Sequence, residues 1–203
     1  RIIGLTHKPS GHEFLWRNRA LPLRRETPGS EYDPNFFGGI DELLPNDTPE
    51  LIDGVDCPDH GELWTTPHTC RRDGEKLILS GELPRFGLHY EREMSLRKDD
   101  PQLNLAYRIT NRASQPRSFL WKLHAALAVR AGDIIDCPAR RGQVVDLAWS
   151  RYRTLDPFDW PVLQGQPVNL VPPADGTVDF FYLFDLRAGR LAWRRPSAGL
   201  QFA

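Results

Sequence analysis

The sequence predicts an all-β protein, a large antiparallel β-sandwich, and three observations carry that expectation. Apolar and polar residues alternate along most of the chain without a sustained helical period. The alternating runs are short, and 18 prolines and 16 glycines are scattered between them. Most runs are bounded by Gly, Pro, Asn or Asp, residues that turn a chain back on itself.

Strands are expected first over residues 1–6, 12–16, 62–66 and 76–81. The clearest alternation follows: Leu88, Tyr90, Met94 and Leu96 share one face, and only Arg92 interrupts the apolar set. Leu103, Leu105, Tyr107 and Ile109 repeat the pattern, and Lys98-Asp99-Asp100-Pro101 between the two runs predicts a hairpin turn. Residues 118–130 are rich in alanine and would suit a helix, but their position after Asn111 and Pro116 favours a strand. Read so, Trp121, Leu123, Leu127 and Val129 oppose Lys122 and His124. Further strands are expected over 143–147, 178–186 and 190–194. Residues 148–176 show no period and carry Trp149, Tyr152, Phe158 and Trp160. A long loop of that kind is often functional; its aromatics either stack on sugar faces or pin the loop to the core.

The totals bound the function. A chain of 203 residues with no compositional break reads as a single domain over 1–203. A formal charge of −1 offers no field for nucleic acid or an anionic membrane, so neither is expected as a partner. No apolar run is long enough to span a bilayer. Three cysteines do not make a disulfide scaffold and favour a reducing, cytoplasmic setting. The opening Arg1-Ile2-Ile3 and the closing Leu200-Gln-Phe-Ala203 read as a chain truncated at both ends.

Residues 35–67 concentrate the candidate chemistry. The Gly38–Gly39 pair permits close backbone approach because no Cβ intervenes, and it precedes Asp41, Glu42 and Pro45. Asp59, His60, Gly61 and Glu62 follow, just before Trp64. On an extended strand His60 and Glu62 would project to one side about 6–7 Å apart, a base and an acid in one pocket; the plainer alternative is an exposed polar strand end. His124, on the polar face of its strand, is either a ligand-facing imidazole or surface decoration. Asp41 and Glu42 are either ligands to sugar hydroxyls or partners of turn amides. Cys57, Asp59, His60, Glu62, His68 and Cys70 do not have the spacing of a structural zinc site, and a metal is not expected there. A GxSxG elbow, a P-loop and a dinucleotide fingerprint are all missing. Asn46-Asp47-Thr48 fits a glycosylation acceptor, which would matter only in a secreted protein.

The order FFGGIDELLP, DHGELW, LNLAYRITN and WKLHAAL, after an opening RIIGLTHKPSGHEFLW, resembles the galactose mutarotase-like superfamily, which includes the aldose 1-epimerases. The resemblance covers nearly the whole chain. It implies an antiparallel sandwich that binds a monosaccharide or glycan end and interconverts its anomers without a cofactor. His60 and His124 match the family's two histidines, with His124 the general acid and His60 holding the sugar or sharing that role. Asp179 matches a sugar-hydroxyl ligand, and Glu62, Glu42 and Trp64 are further candidates for substrate binding. The resemblance places the family's general-base glutamate beyond Ala203, with Glu62 as its substitute, and finds no counterpart of the family's arginine. The other expectation is a carbohydrate-binding sandwich without turnover.

Overall fold

The computed structural model describes residues 1–98 and 100–203, so Asp99 of the expected 98–101 turn lies outside the described residues. The protein is all-β: its sheets are antiparallel, and three short 3-10 turns are its only helical segments among the described residues. This is the architecture expected of the β-sandwich class. Two compact units divide the chain, Arg1–Leu127 and Ala128–Ala203.

The first unit is organised by a four-stranded meander of Thr69–Asp73, Lys76–Leu83, Leu88–Leu96 and Leu103–Asn111. The expected hairpin forms in full, from Leu88 opposite Asn111 to Leu96 opposite Leu103. Alternation explains it: Leu88 and Tyr90 turn inward and join Leu44, Cys57, Leu63, Leu83 and Phe86 in the core. Arg92, which broke the apolar set, stays in phase and is buried with it.

Ile40–Leu43 pairs antiparallel with Lys122–Ala125, setting His124 opposite Asp41 and Lys122 opposite Leu43. The strand expected over 118–130 is therefore only its central part, and its apolar face is divided: Trp121 packs against the core and Leu127 is partly buried. Leu123 and Val129 are exposed, while Lys122 and His124 are partly buried. Polar partners on the facing chain, described below, make that burial tolerable. Gly39 permits the approach of Ile2 to this strand: at φ 81° its hypothetical Cβ would stand 2.3 Å from the Ile2 carbonyl oxygen.

The expected strand at 62–66 is instead a 3-10 turn, Leu63–Thr65. Left-handed backbone at His60 and Gly61 bends the chain before it can extend, and Thr65 and Thr66 both bond the Glu62 carbonyl through their hydroxyls. The first predicted strands shrink to Thr6–His7 and His12–Glu13.

In the second unit Arg141–Val144 lies between Phe158–Asp159 and Phe181–Phe184, while Ile134–Asp136, Ala192–Arg195 and Leu200–Phe202 form another sheet. Its core joins Val144, Phe158 and Leu163, with Tyr152, Trp160 and Phe181 against them. The 148–176 stretch is thus not structureless: it contains Phe158–Asp159 and the small Val162–Leu163/Gln166–Pro167 hairpin. Tyr152, Phe158 and Trp160 anchor it to the core, whereas Trp149 is exposed.

Candidate functional site

His60 and His124 reach the same place because residues 40–47 bind a different segment at each end. The Ile40–Leu43 strand carries His124 on its neighbour, and the following Leu44–Asp47 grips the DHGE turn. The Leu44 carbonyl accepts from the amides of Glu62 and Leu63 at 2.9 and 3.2 Å, and the Asp47 carbonyl accepts from the His60 amide at 3.0 Å. Asn46 locks the same contact, its side-chain amide donating to the carbonyls of Thr48 and Pro58, each at 2.7 Å. At 1% exposure Asn46 is not a glycosylation acceptor in the folded protein, which corrects that expectation. Gly61, at φ 73°, is required here: a Cβ would lie 2.2 Å from the Leu44 carbonyl oxygen.

Tyr32 joins the two imidazoles. Its ring stacks on His60 at 4.0 Å between centroids and 11° between planes, and it meets His124 edge-on at 5.8 Å. Trp64 abuts Tyr32 edge-on at 5.1 Å, and Phe36 touches both Tyr32 and His124. The Tyr32 hydroxyl donates to Asp41 Oδ2 at 3.1 Å and lies 2.9 Å from His124 Nδ1. A phenol has one proton, and an ionised carboxylate is the stronger acceptor, so His124 Nδ1–H donates to the phenol oxygen. The lone pair of neutral His124 then sits on Nε2, which makes no hydrogen bond among the described residues. Asp41 is held in turn by Arg1 Nε at 2.6 Å.

The electrostatics agree with this tautomer. Burial, reinforced by the Lys122 ammonium, holds His124 below the ordinary imidazole range, so it is neutral at pH 7. Burial and the Asp41 carboxylate push the Tyr32 phenol upward, so it stays protonated. His60 Nδ1–H donates to Asp59 Oδ1 at 2.8 Å, while its Nε2 faces Asp47 Oδ1 at 3.8 Å. Asp59 also accepts the Tyr32 amide at 3.0 Å, and Lys122 pairs with Asp47.

The other candidates have different partners. Glu62 does not stand beside His60 on a strand; its two oxygens accept the amides of Arg85 and Phe86 at 3.0 and 2.9 Å, which fastens the turn at the end of Lys76–Leu83. Glu42, 5% exposed, is paired with Arg92 at 2.5 Å and accepts the Tyr107 hydroxyl at 3.1 Å. Trp64 sends its indole N–H toward the Asp59 carbonyl at 3.4 Å. Asp179 belongs to the second unit, where it binds the Arg151 guanidinium and accepts the Ser150 hydroxyl at 3.3 Å. Among the described residues no group of three or more His, Cys, Asp or Glu side chains is placed to hold a metal. Among the described residues no helix is long and apolar enough to cross a membrane.

Sequence reasoning missed Tyr32, Lys122 and Arg92. Arg92 left a signal, the single charge in an otherwise apolar register. Tyr32 left none, because it precedes a 3-10 turn, Asp33–Asn35, in a segment without periodicity. Comparison with family models, with curated proteins and with solved structures returns no match.

Proposed function

We propose that the first unit carries a cofactor-independent acid/base site that opens and recloses the ring of a monosaccharide, the reaction of an aldose 1-epimerase-like isomerase. One observation carries the reading: His60 and His124 converge on Tyr32, each with Nδ1 fixed by a partner and Nε2 free of hydrogen bonds among the described residues. Tyr32 stands between the rings, so in this reading the sugar meets their Nε2 edges. The motif order that resembles the galactose mutarotase-like superfamily adds support.

The tautomer makes His124 the base where the resemblance alone implied the general acid, and the acid role falls to His60. His124 Nε2 takes the proton of the anomeric hydroxyl, and the C1–O5 bond breaks as C1=O forms. The ring oxygen receives its proton from His60 Nε2, with Asp59 and Asp47 facing that imidazole. Rotation about C1–C2 and the reverse transfers give the other anomer. Each positioned proton transfer contributes about 10²–10⁴-fold, which makes two imidazoles sufficient.

The test follows the anomeric NMR signals of fresh α-glucose and α-galactose. His124→Ala is expected to slow exchange by about 10²-fold or more. The loss of wild-type rate caused by protonating the base should come only below the ordinary imidazole value of about 6.5, because burial and the Lys122 ammonium hold His124 below that range. A His124→Ala rate equal to wild type overturns the proposal; sugar binding with no exchange by wild type selects the binding module instead.

A further inference from the structure

The second unit contains a cavity of about 550 Å³, within the size range of small-molecule sites. Arg140 and Arg187 line it together with Trp160 and Asn169. Neither guanidinium forms an ion pair or a side-chain hydrogen bond among the described residues, although both backbones are fixed. The Arg187 amide donates to the Pro138 carbonyl at 3.0 Å, and the Arg140 carbonyl accepts the Trp160 amide at 3.0 Å. The Trp160 indole N–H is engaged by the Cys137 carbonyl at 3.0 Å, so its ring is held as a wall.

The charge balance narrows the ligand. Asp136, also in the lining, is engaged by Arg190 and Arg194 at 3.2 and 3.4 Å. Asp159 is the remaining lining carboxylate, and it is exposed. Two unpaired guanidiniums beside one open carboxylate leave an excess of positive charge. Guanidinium forks suit phosphate oxygens, and a phosphomonoester carries about −1.5 to −2 at pH 7. An indole face suits the C–H face of a sugar-sized body.

We propose that this cavity binds a phosphorylated, sugar-sized small molecule, its phosphate held by Arg140 and Arg187 and its body against Trp160. Titration calorimetry with glucose 6-phosphate, glucose and inorganic phosphate tests it on the whole chain. Glucose 6-phosphate is expected to bind at least about tenfold more tightly than either other probe. Arg140→Ala and Arg187→Ala should each weaken it by about tenfold or more, while His124→Ala leaves it unchanged. Arg140→Lys, which keeps the charge, should retain more affinity than Arg140→Ala at equal thermal stability. Equal affinity for the three probes, no binding in the millimolar range, or alanine variants that bind like wild type overturns the assignment. A loss of binding in His124→Ala also overturns it, because the ligand would then belong to the histidine site.

Discussion

Each unit buries an arginine–carboxylate pair, and the two differ in how completely they are satisfied. In the second unit Asp133 receives Arg195 Nε and Nη2 at 2.9 and 2.8 Å, the Trp193 indole N–H at 2.8 Å and the Arg130 amide at 2.8 Å. Hydrogen bonds from Arg195 hold the Asp133 carboxyl below its ordinary value. In the first unit, Arg92 Nη1 and the Tyr107 hydroxyl both converge on one oxygen of Glu42, and Arg92 Nε is buried without a partner. A saturated pair works as an anchor. An incompletely satisfied one is a stability cost, and here it sits in the strand position next to Asp41, the residue that orients Tyr32 and His124.

The largest effect that can break this comparison is Asp133→Ala, which strands Arg195 at 5% exposure. Chemical denaturation followed at Trp193 should show a loss of about 3–5 kcal/mol. A loss no larger than that of Arg92→Met would remove the difference between the two pairs. Arg92→Met is expected to cost less, about 2–3 kcal/mol, because one of its nitrogens is already unsatisfied and Tyr107 still serves Glu42. The double variant Glu42→Gln with Arg92→Met should recover part of that loss in the same measurement, as Asp133→Ala could not.

A smaller effect distinguishes the units by pH. His68 packs edge-on to Tyr90 at 5.7 Å, and burial first, then positive charge including Arg92, lowers its pKa to about 4. The folded form therefore binds fewer protons than the unfolded chain. The stabilisation is complete above the unfolded value of about 6.5 and is lost as pH falls toward 4, in all about 2 kcal/mol after allowance for partial exposure. Thermal unfolding from pH 7 to 4 should show the first unit weakening over that window, and His68→Phe should flatten the curve.

The hairpin of Leu88–Leu96 with Leu103–Asn111 was legible because its period-2 pattern is a local property, and neighbouring strands with a short connection pair by default. His60 and His124 were legible as candidates because an imidazole among carboxylates, and another on a polar face, are visible in the string. Their partners were not. Glu62 looked like the companion of His60 only on an extended backbone, and left-handed φ values at 60 and 61 turned it to the amides of Arg85 and Phe86.

The sequence by itself determined the strand periodicity, the turn glycines and the polar residues from which a site could be built, since each depends on backbone sterics and nearest neighbours along the chain. Only the tertiary structure decided that Tyr32 stands between two histidines far apart in sequence, that His124 presents Nε2 as an acceptor, and that Arg140 and Arg187 border one cavity. Those outcomes depend on which segments residues 40–47 and 135–187 gather around them, and long-range pairing leaves no mark in local composition.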